Sequence, residues 1–297
     1  MEQLVLCLIT NDPDLGQAAE EAGIDRIMID LETRGKAARQ RGEGLFLSDH
    51  QRRDVEAMRK RLPHAQLMVR INCLYAGTEE EVRFVAAAGA DLVMLPMFST
   101  ISEANLFLQM SRARQIRNCL LVETSGAIQV IEQLALGEGI DELHFGLNDL
   151  RLSMRRTSIF DFFIDGTLDR LAVTAQKTKL PFGCGGLARL SDGRLPVRPD
   201  LIVAQQARLH VNRALLGRSF RCFFEGDRTN WRLLEKEVEN LRARYRFWRC
   251  ASVSQLTEAH ELLRREIKSR SAAKEIEGKL ANRIRRVLKS SFALANN

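Results

Sequence analysis

Two short stretches of this chain end in carboxylates placed where chemistry could happen: Leu120-Leu-Val-Glu-Thr-Ser-Gly126 and His144-Phe-Gly-Leu-Asn-Asp-Leu150. Each is an apolar run closed by Glu123 or Asp149, with a glycine nearby and a helix-patterned segment after it. If the runs are consecutive parallel strands, both carboxylates project from the same end of a sheet. Mg²⁺ or Mn²⁺ prefers one or two carboxylates, with water and substrate oxygens filling the remaining sites, and Glu123 with Asp149 would supply that pair. Thiolate or imidazole ligands are missing at the matching strand ends, which disfavours zinc. The competing reading is that each carboxylate caps the helix that follows it.

Further groups fall at other strand ends. Leu67-Met-Val-Arg-Ile-Asn72 carries Arg70 near the close of an apolar run. The planar fork of a guanidinium suits a substrate carboxylate or enolate oxygen. Asp30 and Glu32 end the preceding run and could pair with Arg70; an acid behind an arginine also orients it. The glycine- and charge-rich segment from Thr33 to His50 reads as a lid. Within it Arg34, Lys36 and Arg39 could meet an anionic group, and Arg34 is the nearest of the three to Glu32 in sequence. His50 could titrate near neutrality or simply precede the next helix. Pro181-Phe-Gly-Cys-Gly-Gly186 could bring backbone N–H groups to a phosphate or carboxylate, or only shape a tight turn. His64, His144 and His210 read as structural, with His144 inside a strand and not at its rim.

These groups need a scaffold that gathers them. Apolar runs over 4–9, 24–31, 66–72, 91–95, 119–123, 141–145, 180–184 and 209–216 alternate with helix-patterned segments. The runs are apolar on both sides, as in parallel strands covered on both faces. Eight strand–helix repeats predict a closed (β/α)₈ TIM barrel over residues 1–226, with its site at the carboxyl ends of the strands. An open doubly wound sheet is disfavoured, because no G-x-G-x-x-G follows the first strand. After the sixth strand the helix is expected to be delayed until about 160–179.

Residues 227–297 change character. Leu233, Leu234, Val238, Leu241, Tyr245 and Trp248 recur at helical spacing. Ser252 and Gln255 form a capping-box pattern before a second helix. Ile276, Leu280, Ile284, Val287 and Leu288 mark a third. The segment reads as a helical extension whose apolar stripe packs on the barrel's flank or on another subunit. It also holds the basic excess: 17 Lys and Arg stand against 9 Asp and Glu from Asp227 onward, so the net +7 says nothing about the barrel.

No apolar run reaches the length of a membrane span, and the acidic start Met1-Glu-Gln-Leu-Val-Leu lacks signal-peptide features, so a cytoplasmic location is expected. Six dispersed cysteines without a C-x-x-C pair are expected to be reduced, buried, small hydrophobes.

Ile29-Asp-Leu-Glu32, Val69-Arg-Ile-Asn72, Gly89-Ala-Asp-Leu-Val-Met-Leu-Pro96, Val122-Glu-Thr124 and Phe145-Gly-Leu-Asn-Asp-Leu150 resemble, in order and spacing, the HpcH/HpaI aldolase–citrate lyase β-subunit family. That family has the phosphoenolpyruvate/pyruvate-type barrel, and the resemblance covers roughly residues 1–220. It implies Glu123 and Asp149 as ligands of Mg²⁺ or Mn²⁺ and Arg70 as the group binding a pyruvate-like enolate or 2-oxo acid. It implies that Asp30 and Glu32 order water or Arg70, and backbone N–H groups near Ser125 and Gly126 could hold the substrate carboxylate. Two positions depart from the family pattern. Thr33 stands where the pyruvate aldolases have histidine and the citrate lyases an acid, and Leu147 stands where many aldolases have proline. The candidates for the missing proton-transfer group are Arg34, Lys36, Arg39 and His50.

The expectation is a metal-dependent carbon–carbon lyase that cleaves or forms a hydroxylated 2-oxo acid through a pyruvate enolate, with an aldehyde as partner and a water ordered by Glu32 as base. One alternative is an acyl-CoA lyase of the citrate or malyl type using the same carboxylates. The other is a non-catalytic binding protein built on a degenerate barrel. The basic residues of the extension are interleaved with acids and lack clustered aromatics, which disfavours nucleic acid as a partner. Family resemblance and the apolar stripe point to a homo-oligomer.

Overall fold

The computed structural model describes residues 4–39 and 49–270. Eight parallel strands close on themselves in sequence order: β1 (Val5–Ile9), β2 (Arg26–Asp30), β3 (Gln66–Arg70), β4 (Leu92–Leu95), β5 (Arg117–Val122), β6 (Glu142–Phe145), β7 (Phe182–Leu187) and β8 (Arg213–Leu216). The helices are α1 (Pro13–Glu21), α2 (Lys36–Arg39), α3 (Arg52–Arg61), α4 (Thr78–Ala87), α5 (Ile101–Ala113), α6 (Ser125–Ala135), α7 (Leu147–Ser153), α8 (Thr167–Thr178), α9 (Pro199–Arg208), α10 (Arg218–Glu225) and α11 (Leu234–Arg249). The fold is a (β/α)₈ TIM barrel followed by a C-terminal helical region. A further helix runs over 253–270. The expected third helix of the extension, and residues 40–48 of the Thr33–His50 lid, lie outside the described residues.

Strand alternation explains why every strand reads as apolar on both sides. Outward residues such as Leu6, Leu8, Ile27, Val69 and Phe145 pack under the helices. Inward residues build a second cluster along the axis, from Cys7, Met28, Met68, Leu92, Met94, Cys119 and Leu121. Its polarizable sulfur side chains adapt to an irregular space.

The amino ends of the strands are locked by charge. Arg26 donates to both oxygens of Glu142 at 2.7 and 2.8 Å and also to Gln66 Oε1. Arg117 and Arg213 reach the same carboxylate at 2.9 and 3.3 Å. This network sits at the bottom of the barrel, where charged residues serve stability and leave the opposite end for chemistry.

Two elements differ from the sequence expectation. The helix expected over about 160–179 is present as α8, but a short helix not expected precedes it: α7 begins directly after Gly146, which caps it, and ends after two turns near Arg155, whose φ is +52°. Only Cys7, Cys119 and Cys184 are buried; Cys73 is half-buried, Cys222 and Cys250 are exposed, and all six are free.

The stripe on α11 finds its surface within this chain. Leu234, Val238, Leu241, Tyr245 and Trp248 are buried, and α11 packs between α9 and α1. Tyr245 donates its hydroxyl to the Val211 carbonyl at 2.7 Å, and Trp248 Nε1 donates to Asp200 at 2.8 Å. Ser252 and Gln255 make the expected reciprocal cap. Several basic residues here are paired: Arg242 with Asp25 and Arg244 with Asp200. No helix among the described residues is long and apolar enough to cross a membrane.

Candidate active site

The carboxyl ends of the strands surround a cavity of about 200 Å³ that descends along the axis. Asp30 ends β2, Arg70 ends β3, and Glu123 follows β5 directly. Asp149 comes from the first turn of α7, not from the strand end itself, which suits a carboxylate near a helix N-terminus. All four line the cavity, so the structure brings the two acids and the arginine to one mouth.

Glu123 is buried, with 2% of its surface exposed. Its Oε1 accepts the backbone N–H of Met97 at 3.1 Å, presented by a left-handed Met97 (φ +59°) just after Pro96. Its Oε2 lies beside Gly146, where an added Cβ would stand 2.5 Å from it, so glycine there gives the carboxylate its room. Burial pushes the Glu123 carboxyl up to about 8; Arg70 opposes the shift, while Asp149 and Glu32 reinforce it. Asp149 receives the guanidinium of Arg39 at 3.4 Å.

Arg70 is held from behind. Its Nε and Nη2 donate to the two oxygens of Asp30 at 2.8 and 2.7 Å, and Lys36 Nζ reaches Asp30 at 2.5 Å. Burial works against ionisation of Asp30, but the Arg70 and Lys36 charges outweigh it and hold the carboxyl well below its ordinary range. Glu32 pairs with Arg39, and its Oε2 stands 3.6 Å from both Lys36 and Arg70. That oxygen is buried and lies off the cavity lining. Lys36 is 4% exposed and lines the cavity.

Other predicted residues fall elsewhere. Thr33 and Arg34 are exposed; their backbone N–H groups both donate to Asn72 Oδ1 at 2.9 Å, and the Arg34 guanidinium stacks on Tyr75. His50 is buried behind Asp30, accepting that residue's backbone N–H at Nδ1 (2.9 Å), and burial lowers its pKa. The Ser125 N–H donates to Ser153 Oγ at 2.9 Å, and Gly126 packs against the Ser99 backbone. Arg34, His50, Ser125 and Gly126 are all absent from the cavity wall.

Sequence reasoning missed Arg218 and Arg221, which line the cavity from α10. Their signal was available: they stand three apart, one helical face, immediately after the eighth apolar run. It also missed the strut behind Asn72, whose amide donates to Glu81 Oε1 at 2.7 Å while Tyr75 donates to the same oxygen at 3.0 Å. Replacing Asn72 with alanine removes the acceptor of the Thr33 and Arg34 N–H groups and one of the donors to Glu81 Oε1. A loss of about 1–3 kcal/mol is expected, measured as a lower denaturant midpoint.

The residues present fit a hard divalent cation. Among the described residues, no three His, Cys, Asp or Glu side chains converge as a ligand set. Glu123 and Asp149 would hold such a cation as a pair, with water and substrate completing the shell. A buried Glu123 that makes no ion pair among the described residues is short of the positive charge such a cation brings.

Comparison with known proteins bears on the fold and the family. No curated protein matches the chain. Among solved structures, an HpcH/HpaI aldolase from Desulfitobacterium hafniense superposes with a TM-score of 0.55 at 13% identity, covering 73% of this chain and 86% of that one. A family protein from Burkholderia cenocepacia gives 0.57 at 17% identity, over 78% and 94% of the two chains. The citrate synthase SbnG gives 0.57 at 14% identity, over 80% and 93%. At such identities these likenesses show a shared barrel. The family model for HpcH/HpaI aldolase/citrate lyase matches residues 3–162, more than half of the sequence, a stretch that includes Asp30, Arg70, Glu123 and Asp149. The chain belongs to the HpcH/HpaI aldolase/citrate lyase family.

Proposed function

We propose that this protein is a divalent-metal-dependent aldolase that cleaves or forms a hydroxylated 2-oxo acid by way of a pyruvate enolate. The observation that carries the reading is the buried Glu123 carboxylate, facing the cavity beside Gly146 with Asp149 as its neighbour. Those two residues would hold Mg²⁺ or Mn²⁺. Bound there, the cation supplies Lewis-acid polarisation of the 2-oxo acid.

The chain's own groups do the rest. Arg70 presents a fixed positive charge to the developing enolate oxygen, and its two bonds to Asp30 remove the need to reorganise during the reaction. Lys36 adds a second buried cation on the same side. Glu32 positions Arg39 and backs Arg70. Below them the axis is lined by apolar and sulfur side chains.

The test is release of pyruvate from a panel of hydroxylated 2-oxo acids, with and without EDTA. Turnover that needs Mg²⁺ or Mn²⁺ and disappears on chelation is expected. Turnover indifferent to EDTA would overturn the metal assignment. Cleavage of an acyl-CoA thioester in place of the 2-oxo acids would replace the aldolase reading with a thioester lyase.

A further inference from the structure

After β2 the chain runs outward through Thr33 and Arg34, both exposed, and Gly35 turns it back in a left-handed conformation (φ +71°). Lys36 follows, buried, with its side chain on the cavity wall. Its Nζ donates to Asp30 Oδ2 at 2.5 Å, the same oxygen that takes Arg70 Nη2 at 2.7 Å. The lysine and the arginine are therefore close neighbours, tied to one carboxylate atom.

The charges around the amine are matched without it. Arg70 faces both Asp30 and Glu32, and Arg39 pairs with Glu32. Arg39 also reaches Asp149, whose charge the divalent cation would offset. Lys36 is thus a third cation against two carboxylates, at 2.5 Å from Asp30 and 3.6 Å from Glu32. A guanidinium does not release its proton in a protein, so a proton that leaves this cluster of cations leaves from Lys36.

An aldol reaction needs such a group. In cleavage of a 4-hydroxy-2-oxo acid the C4 hydroxyl loses a proton and the C3–C4 bond breaks. Its electron pair becomes the enolate, and C3 then takes up a proton to give pyruvate. One proton leaves an oxygen and one arrives at a carbon, so a single side chain can take the first and return it. Among the described residues, the titratable groups on the cavity wall other than arginine are Cys7, Asp30, Lys36, Glu123, His144 and Asp149. Glu123 and Asp149 are the proposed metal ligands. Asp30, although buried, is held well below its ordinary range by Arg70 and Lys36, which makes it a poor base. Burial pushes the Cys7 thiol up to about 12. It lowers the His144 imidazole to about 4, and the Nε2 of that ring is closed off from the cavity space. Lys36 is left.

We propose that Lys36 carries the proton of the aldol step: its neutral amine takes the C4 hydroxyl proton as the C3–C4 bond breaks and returns it to C3 of the enolate. This rests on the aldolase reading above. Arg70 serves the oxygen on C2 and Lys36 the oxygen on C4, two carbons away, which suits two groups held side by side by Asp30. In the condensation direction the same proton travels from the pyruvate methyl to the new hydroxyl.

The test compares two reactions that reach the same enolate. Cleavage of 4-hydroxy-2-oxopentanoate begins with loss of the hydroxyl proton. Decarboxylation of oxaloacetate breaks its C3–C4 bond with release of CO₂ and has no hydroxyl proton to remove. Lys36→Arg keeps the positive charge but cannot release its proton. With Mg²⁺ its kcat for cleavage is expected to fall about 10²–10⁴-fold, the usual contribution of general acid–base catalysis, and at least about tenfold more than its kcat for decarboxylation. The decarboxylation that remains shows that the variant is folded. Lys36→Ala is expected to regain cleavage when ethylamine is added and to gain nothing from ethylguanidine, which brings charge without a releasable proton.

Equal losses in the two reactions, or rescue by ethylguanidine as good as that by ethylamine, would mean that Lys36 supplies only charge, and would overturn the proposal. Wild-type cleavage together with an unimpaired Lys36→Arg overturns the proposal alone. A wild type that decarboxylates oxaloacetate but cleaves no hydroxylated 2-oxo acid overturns the aldolase reading, and this proposal with it.

Discussion

Asp149→Ala is expected to cut Mg²⁺-dependent turnover by about 10³-fold or more, with a melting temperature close to that of the wild type. Lewis-acid stabilisation by a bound cation contributes several kcal/mol to a transition state, and each 1.4 kcal/mol is about a factor of ten in rate. The fold loses little. Among the described residues Asp149 makes one ion pair, to Arg39 at 3.4 Å, and α7 keeps its glycine cap and the packing of Leu147 and Leu150. Steady-state kinetics at saturating Mg²⁺, beside a thermal melt, checks both halves. A variant that retains full turnover would remove Asp149 from the site.

The second large effect is on stability. In the metal-free protein the Glu123 carboxyl titrates near 8, against an ordinary value of 4.5. The unfolded chain releases this proton near 4.5, while the folded chain keeps it until about 8. Between those values the folded state binds more protons, so its stability falls as the pH rises. At about 1.4 kcal/mol per pKa unit, the loss is on the order of 4–5 kcal/mol across the window. Glu123→Gln keeps the shape and removes the titration, so the variant's melting temperature should lose this part of the slope. Mg²⁺, which favours the ionised carboxylate, should flatten the wild type's slope and leave the variant's alone. Identical pH profiles for the two proteins, with and without Mg²⁺, would contradict the assignment.

The barrel was legible because strand after strand carries apolar residues on both faces, and only a sheet covered inside and out asks for that. Glu123 and Arg70 were legible for the same reason: each closes such a run, whereas Asp149 was legible only as the carboxylate shortly after the sixth run and sits in the first turn of α7. The α7 helix was not, because two turns between a glycine cap and a left-handed Arg155 leave too little periodicity to read. Nor was the Arg26–Glu142 pair, whose members stand 116 residues apart and meet only because β2 and β6 both start at the barrel floor. Charge in the segment after β2 suggested a solvated lid, yet Lys36 is buried there, since its partner Asp30 offsets the cost of desolvation. Sequence spacing made Arg34 the best candidate because it lies close to Glu32 along the chain. In space the turn through Thr33 sends it outward onto Tyr75. His144 was read as a structural residue inside a strand; it lies in β6, and what sequence could not show was that its ring also lines the cavity.

The placement of α11 between α9 and α1 bears on how this chain can be cut. Seven strands are followed by a helix of the outer ring, but after β8 comes the short α10, and the eighth berth is filled from beyond residue 233. A fragment stopping at residue 226 would leave a bare apolar strip where the first and last strands meet, with Asp25 and the Val211 carbonyl stripped of Arg242 and Tyr245. Such a fragment should self-associate through that strip, so any minimal version of this protein has to run at least through Arg249.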